Sequence, residues 1–368
     1  MGGIVSLEDA SLIFTTPDGI GIHEDFARGY EPDMPLAIKR PFVTHADDAL
    51  IREHWATIST GSPAFLPQKH MTPVKFFHAT FYTKLFARVP SARSLFRSSL
   101  TLQGKSITGM VHTLATLIRS RDVVETAQRL AAMHASYGAC KEHYADVGIV
   151  LLETLEAVSG PAWSEKIKTA YLTAYCFVYY LMLPVILSTP VAPIAPSVDA
   201  HIVASEAIAS NVQRLRILVD VALQYHPGDA LVVGVPLSTG EVRASFALTS
   251  LYDADSREIE LCVESIDKVF EWLCNAPLQS KLQVFWVLSS MHWELDTPTS
   301  LPRKALFLSE GAAGAPYFAI VRALYAARES CDCDVLWLQC GSEPIPYFEH
   351  PFNDEPWARL ARIYCWIA

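Results

Sequence analysis

The sequence predicts a multidomain protein in which an all-α domain is followed by a β-barrel and a short α/β domain. Three observations lead to this prediction. From residue 44 to residue 186, apolar side chains recur at the three-and-four spacing of helices. Prolines at positions 184, 190, 193 and 196 then interrupt the pattern, as in a stiff linker. Beyond them, short apolar runs alternate with turns, and the chain ends in a strand, helix and strand unit.

Length and composition limit the classes of function. The 368 residues allow two or three domains, and 51% hydrophobic against 18% charged residues indicates a folded chain. A formal net charge of −10 without a long Lys/Arg run argues against nucleic acid as the main partner. The eight cysteines are scattered, and Cys331, Cys333 and Cys340 lack a fourth ligand at zinc spacing. We therefore expect free thiols in a reducing, cytoplasmic compartment.

Residues 1–43 are rich in Gly, Pro and Asp and show no sustained periodicity, so we predict an irregular N-terminal extension. The first six residues, MGGIVS, match the pattern for N-myristoylation of Gly2. Neither a neighbouring cysteine nor a basic cluster supplies the second signal that stable anchoring needs. Membrane association would therefore depend on lipidation of Gly2.

Six helices are predicted between residues 44 and 186. Thr44 can cap the first, with Asp47 and Asp48 suiting its dipole, and Pro73 starts the second. A turn from Pro90 precedes the third helix. The uncharged stretch 170–187 is broken by a proline, so we interpret it as a buried helix and not as a membrane span. The predicted helices span residues 44–58, 72–87, 103–120, 122–137, 142–158 and 163–183.

The second half of the sequence is predicted to begin with a proline-rich linker and a helix, residues 187–220, with the helix near 199–220. Strands are predicted at ALVVGVPL, VRASFALTSLY, REIELCVES and LQVFWVL, which place a barrel at residues 221–300. Residues 301–368 contain the strand, helix and strand unit, which predicts a parallel sheet.

One histidine lies on the apolar face of a predicted helix, in the run LAAMHASYG. A haem iron needs a neutral imidazole, an apolar slot and hydrogen-bond donors on its open face. His134 can supply the imidazole, and Tyr82, Phe96 and Gln103 lie upstream at loop and helix spacing. The alternative is that His134 is an ordinary hydrogen-bonded core histidine.

Residues 44–186 resemble a globin, specifically the haem domain of flavohaemoglobins and bacterial single-domain globins. Three runs carry the resemblance, and the last is the most specific because a Leu four residues before the His and a Tyr ten after it both fit. The runs are FYTKLFARVPSARSLF, LQGKSITGMV and LAAMHASYGACKEHYADVGIVLLETLEAV.

The resemblance implies haem b as cofactor, with His134 as its proximal iron ligand and Leu130 packed beneath the macrocycle. Tyr144 would stand beside the histidine. Flavohaemoglobins back this histidine with a glutamate from the last helix, but here Ile186 or a neighbour takes that position. The push of electron density that the carboxylate gives the iron is therefore in doubt.

On the distal side, the resemblance implies that Tyr82 and Gln103 donate hydrogen bonds to the bound gas. Phe96 would wedge against the macrocycle, and Ile107 would wall the pocket one turn after Gln103. A phenol and an amide suit a bound ligand that acquires negative charge, since both can donate hydrogen bonds to it. The implied ligands are O2, NO or CO.

The second half resembles the ferredoxin-reductase-like module of the same family in degenerate form. Arg243 stands one residue away from the position of the flavin-binding arginine. Asp267 and Glu271 lie where glycines and a serine would cradle the flavin phosphates. The glycine turn at 311–316 matches the nicotinamide-binding turn better, although such a turn is a weak signal. FAD is therefore unlikely as a cofactor, and NAD(P) is doubtful.

These observations predict a haem globin that binds O2 or NO, with a decayed reductase-like C-terminal half. Two alternatives stay open. The chain could be an NO dioxygenase that uses an internal or external reductase, or a haem-based gas sensor whose second half reports to a partner.

Overall fold

The computed structural model describes residues 12–69, 72–116, 119, 122–190, 194–289, 291, 293, 295, 301–329, 333–341, 345–349 and 361–367. The chain divides into two compact units. The first comprises Met1–Leu95 and Gln103–Ile194, and the second comprises Phe96–Leu102 and Ala195–Ala368. The first unit therefore extends beyond residue 186 at its end, and the segment Phe96–Leu102 is separated from it.

The prediction of an irregular extension over residues 1–43 is wrong for its described part. Strands β1 (Ile13–Thr16), β2 (Gly19–Ile22) and β3 (Phe42–Thr44) form an antiparallel sheet, and helix α1 (Glu24–Tyr30) follows β2. The strands are too short to show periodicity, and a Cβ at Gly19 would overlap the Val43 carbonyl, so the glycine permits the pairing. Gly2 lies outside the described residues.

The helices after Thr44 confirm the all-α prediction. Thr44 caps α2 with its hydroxyl, which accepts from the Asp47 N–H, while the Asp47 carboxylate accepts from the Thr44 N–H. A 3-10 turn, Pro90–Leu95, separates the third and fourth helices. The helices are α2 (His45–Gly61), α3 (Pro73–Arg88), α4 (Leu100–Leu114), α5 (Val123–Ser136), α6 (Lys141–Ser159) and α7 (Glu165–Ser188).

Helix α7 lies in the core of the first unit. Its length and hydropathy would suffice to cross a membrane, but 72% of its most apolar stretch is buried inside the protein. The Tyr171 hydroxyl donates to the Ile51 carbonyl over 3.3 Å, and the Tyr180 hydroxyl donates to the Lys39 carbonyl over 2.6 Å. The hydroxyls of these two buried tyrosines are thus bonded to backbone acceptors, as the buried-helix interpretation requires, whereas the buried Tyr179 hydroxyl has no hydrogen-bond partner among the described residues.

The helix predicted near residues 199–220 is wrong, because two antiparallel strands, β4 (Val198–Ala209) and β5 (Val212–Val219), occupy this stretch. They belong to an antiparallel sheet with the order β7-β6-β9-β4-β5-β8. A bridge between Leu248 and Leu261 joins its two edges, so the sheet curls toward a barrel. The other strands are β6 (Ala230–Leu237), β7 (Gly240–Ala247), β8 (Glu258–Glu264) and β9 (Lys281–Leu288).

The end of the chain has the predicted strand, helix and strand order. Strands β10 (Lys304–Glu310) and β11 (Asp334–Gly341) are parallel and joined by helix α9 (Ala315–Ala326). Helix α10 (Pro346–Glu349) leads towards β12 (Ala361–Ile367), which pairs with β11 in parallel. Helix α8 (Lys268–Asn275), between β8 and β9, occupies the stretch predicted as a cradle turn.

Candidate functional site

His134 lies in the last turn of α5, and Leu130 precedes it by one turn on the same helix. Its ring centroid lies 5.9 Å from that of Tyr144 on α6. Burial lowers the pKa of His134, so the imidazole is neutral at pH 7. Among the residues that the structure describes, neither ring nitrogen of His134 has a hydrogen-bond partner. A neutral imidazole is the form of histidine that ligates a metal ion.

Tyr144 is buried beside this histidine, and its hydroxyl has no hydrogen-bond partner among the described residues. Helix α7 holds α6 in place here: the Tyr175 hydroxyl donates to the Tyr144 carbonyl over 2.6 Å, and the Tyr179 ring lies 5.7 Å from the Tyr144 ring. Ile186 is also buried on α7. Tyrosines thus surround Tyr144 on the side from which a carboxylate was expected in the resembled family.

Tyr82 is buried on α3 between two aromatic rings. Phe81 meets it edge-on with the ring centroids 5.4 Å apart, and Phe86 stacks on it at 5.8 Å. Burial raises the pKa of the Tyr82 phenol well above its usual range, and the charge of Arg93 opposes this only in part. The phenol therefore keeps its proton, and its ability to donate a hydrogen bond, throughout the physiological pH range.

Gln103 and Ile107 lie one turn apart on α4. Ile107 is buried, and the Gln103 side-chain oxygen is buried without a hydrogen-bond partner among the described residues. The next residues along α4, Gly104 and Thr108, contact α3. His78 Nε2 lies 2.6 Å from Thr108 Oγ1, and a Cβ at Gly104 would overlap the His78 imidazole.

Arg93 is a residue of this region that the sequence did not single out. Its guanidinium lies 5.2 Å from the centre of the Phe86 ring, and burial lowers the pKa of Arg93 to about 10. The Tyr82 phenol, when ionised, would act in the opposite direction on that pKa. An arginine in a polar turn normally indicates exposure, so the sequence carried no signal for a cation near Tyr82.

Phe96 belongs to the segment Phe96–Leu102, which groups with the second unit by its contacts. The Arg97 carbonyl accepts from the Val287 N–H over 2.7 Å, and the Arg97 guanidinium donates to the carbonyls of Ala195, Pro196 and Phe285. The wedge role of Phe96 stays a prediction, and Phe96 lies within the residues that match the globin family model.

The residues of the first unit fit a haem. His134 offers a neutral imidazole, while the Tyr144 hydroxyl and the Gln103 oxygen are buried polar atoms without partners in the described chain. Such orphaned groups are rare in proteins and require an explanation, such as a bound group or an ordered water. No three His, Cys, Asp or Glu side chains gather as a metal site in the part of the chain that the structure describes. An iron bound at His134 would therefore need further ligands from a prosthetic group.

In the second unit, carboxylates of the chain itself accept from backbone N–H groups at the start of helix α8 and in the glycine turn. Asp267 caps α8, since its carboxylate accepts from the N–H groups of Val269 and Phe270 over 2.8 and 3.2 Å. Glu264 accepts from the Ala312 N–H over 2.9 Å, in the glycine turn after β10. Arg243 packs its guanidinium 3.7 Å from the centre of the Phe285 ring.

Side chains of the protein form a hydrogen-bonded network at the C-terminal edge of the parallel strands. Trp337 Nε1 donates to Ser309 Oγ over 2.8 Å, and Ser309 Oγ in turn donates to Gln339 Oε1. Gln339 Nε2 donates to the Gly311 carbonyl over 2.8 Å, and a Cβ at Gly314 would overlap Gln339. Parallel sheets commonly bind ligands at this edge, and here three side chains are hydrogen-bonded to one another there.

Comparisons with known proteins agree with the helical unit. Residues 79–182 match the globin family model. Leghemoglobin alpha of Phaseolus vulgaris is 24% identical over 142 residues, which is 36% of this chain and 89% of that protein. The Flavohemoprotein of Vibrio cholerae is 27% identical over 101 residues, 26% of each chain.

Among solved structures, a flavohemoglobin from Malassezia yamatoensis with bound FAD and heme covers 88% of this chain and 84% of its own. Its TM-score is 0.38, and its identity is 16%. The family match itself contains Tyr82, Gln103, Ile107, Leu130, His134 and Tyr144. Residues 79–182 of this chain are therefore a globin domain, a member of the family that holds haem and binds O2 and similar gas ligands.

Proposed function

We propose that this chain is a haem globin in which His134 ligates the iron and Tyr82 and Gln103 stabilise bound O2 or NO. The proposal rests on buried polar atoms without hydrogen-bond partners in the segment that matches the globin family. Among the described residues these are the Gln103 oxygen and the Tyr144 hydroxyl, which belong to proposed site residues, together with the hydroxyls of Thr154 and Tyr179. Haem supplies an iron that can bind diatomic gases. The chain supplies the axial ligand, the apolar walls and the hydrogen bonds.

Each side chain has a defined part in this proposal. The lowered pKa of His134 leaves it neutral and ready to ligate, and Tyr144 packs on one side of the ring and limits its rotation. Tyr82 remains a donor because burial holds its proton. The amide of Gln103 can donate through Nε2 to a ligand that gains negative charge. Ile107 and Leu130 would form apolar contacts that keep water away from the macrocycle.

Haem content and the absorption spectrum of the full-length protein test this assignment. We expect the His134→Ala variant to lose stoichiometric haem, and the His143→Ala variant to retain it. Far-UV circular dichroism of both variants separates loss of the ligand from loss of the fold. Full haem content and an unchanged ferrous–CO spectrum in His134→Ala would show that the ligand lies elsewhere.

We further propose that the second half does not carry flavin or nicotinamide chemistry. A dinucleotide site offers free backbone N–H groups to a pyrophosphate. Asp267 and Glu264 already accept from N–H groups of α8 and of the glycine turn, and their negative charge would oppose a phosphate bound at those groups. Two unit charges at about 4 Å interact by about 4 kcal/mol at an effective dielectric near 20. Repulsion of this size, added to the loss of donors, is enough to abolish a micromolar site.

Titration of FAD into the full-length protein, followed by flavin fluorescence, tests this second proposal. We expect no saturable binding at low micromolar FAD and no oxidation of NADH. Saturable binding together with NADH oxidation would favour the second candidate, an NO dioxygenase with an internal reductase. Turnover of NO only when an external reductase is added would instead keep the globin proposal and make the chain an oxidoreductase.

A further inference from the structure

Among the residues that the structure describes, helices cover one face of the parallel sheet of the second unit. Its order is β10-β11-β12, and a crossover between parallel strands is almost always right-handed. Two right-handed crossovers that advance in the same direction lie on the same face. The contacts agree: the Trp337 ring lies 6.1 Å from Tyr317 on α9 and 5.7 Å from Phe348 on α10.

The opposite face carries exposed leucines. Leu306 is 58% exposed, Leu308 is 60% exposed and Leu336 is 39% exposed. Leu306 and Leu336 are register partners on neighbouring strands, so the three side chains form one patch. Parallel sheets are normally apolar and covered on both faces, which makes an uncovered leucine patch unusual.

The pattern of β10 indicates what covers this patch. Side chains of a strand alternate between faces, so Lys304, Leu306, Leu308 and Glu310 point to the same side. Along this face of β10, the side chains are therefore in order positive, apolar, apolar and negative. Lys304 and Glu310 are separated by roughly 20 Å along one strand and cannot pair with each other. Two antiparallel copies of β10 would place each lysine opposite a glutamate and each Leu306 opposite a Leu308.

We propose that this leucine patch is a homodimer interface, in which a second copy of the chain packs its β10–β11 face against the first about a two-fold axis. Such an axis makes the interface self-complementary, because the same residues serve on both sides. Three partly exposed leucines cover much less than the roughly 800 Å² per partner of a standard interface. The dimer is therefore weak and depends on protein concentration and on salt.

Sedimentation velocity of the full-length protein over a range from low to high micromolar concentration tests the proposal. We expect the weight-average sedimentation coefficient to rise with concentration. Leu308→Lys should abolish this rise, whereas Leu278→Lys, at a 58% exposed leucine outside this sheet, should not. A monomer at every concentration, or equal loss in both variants, would overturn the proposal.

Charge reversal gives a sharper test that does not depend on the core. Lys304→Glu and Glu310→Lys should each weaken association. Each variant places two like charges opposite each other across the two-fold axis. The double variant restores opposite pairs, so its association should return to that of the unmodified chain. Both residues are exposed. Because Lys304 is the register partner of Asp334, thermal unfolding curves of each variant separate a cost to the fold from a change in association. Failure of the double variant to restore association would contradict the antiparallel arrangement.

Discussion

The backbone of Gly104 packs directly on the imidazole of His78, so closely that a Cβ at this position would overlap the ring. The same imidazole lies 2.6 Å from the Thr108 hydroxyl, which joins α3 to α4. Gln103 and Ile107 are the residues immediately before Gly104 and Thr108. The contact therefore sets where both proposed distal residues stand relative to the helix that carries Tyr82.

Replacing Gly104 should damage this arrangement. Gly104→Ala forces His78 or α4 to move, and overpacking of this kind costs roughly 1–3 kcal/mol of unfolding free energy. We expect a lower midpoint of urea unfolding and faster O2 release. Gly109→Ala is the matched control on the same helix, since nothing lies within 4 Å of its Cβ. It should stabilise the protein by about 0.5–1 kcal/mol through helix propensity. Equal effects of the two substitutions would refute the packing argument.

Tyr82→Phe removes the proposed distal donor while keeping the ring between Phe81 and Phe86. A hydrogen bond to a charged acceptor contributes about 1.5–3 kcal/mol, or roughly ten- to a hundredfold in rate. Stopped-flow measurement should show O2 dissociation faster by that factor, with a smaller change for CO. Tyr137→Phe, at a 67% exposed tyrosine, is the control. If the O2 rate is unchanged in Tyr82→Phe, the phenol does not face the ligand.

His54 should make the first unit sensitive to acid. It is buried, with Nε2 2.9 Å from Ser159 Oγ and Nδ1 3.2 Å from the Tyr171 hydroxyl. Burial lowers the pKa of His54 to about 4, whereas an unfolded histidine has a pKa near 6.5. The unfolded chain therefore binds about one more proton in this window. Stability is complete above pH 6.5 and falls toward pH 4, by at most about 1.4 kcal/mol per pH unit.

Urea unfolding as a function of pH measures this effect. In His54→Gln, the slope of unfolding free energy against pH between pH 6.5 and pH 4 should be smaller, by an amount that corresponds to at most one bound proton. The exposed His112 supplies the control, because His112→Gln removes an equal number of histidines from the chain. A slope that both variants share would show that His54 is not the group that titrates.

Asp267 should stabilise α8 as its N-cap. Asp267→Ala leaves the Val269 and Phe270 N–H groups without their acceptor, at a cost of about 0.5–2 kcal/mol. Native-state hydrogen exchange should become faster at these two amides. Asp267→Asn keeps the acceptor and loses the charge, so its exchange rates should stay close to those of the unmodified chain. Fast exchange in Asn as well as Ala would mean that the charge, and not the cap, stabilises the helix.

The helices of the first unit could be predicted because they are long and carry local signals. Thr44 with Asp47, and Pro73 with Thr72, mark helix starts through bonds formed within one turn. Residues 199–220 could not be assigned correctly, since an apolar pattern of this length fits a helix as well as two strands. Long-range pairing with β8 and β9 decides between them. Strand β2 likewise depends on β3, which begins about twenty residues after β2 ends.

The candidate site could be proposed from residue type and spacing, as at His134, Tyr82 and Gln103. The burial and the hydrogen bonding of these side chains could not be predicted from the sequence. The missing partners of the Gln103 oxygen and the Tyr144 hydroxyl depend on packing between helices far apart in sequence. The burial of Arg93 depends on where the turn after α3 folds back. The placement of Phe96 with the second unit depends on strands nearly two hundred residues later.

The segment Phe96–Leu102 has a consequence for how this protein can be dissected. Its Ser99 N–H donates to the Gln224 carbonyl over 2.8 Å, and the Ser98 hydroxyl accepts from the Gln224 N–H over 3.0 Å. A gene fragment ending near residue 190 would contain every residue assigned to gas binding, yet it would deprive this segment of those bonds. Neither a single proteolytic cleavage nor expression of a truncated chain would therefore yield the helical unit with all of its bonds intact. Each unit is built from two separate stretches of the polypeptide, so cleavage of a single peptide bond cannot separate the two units.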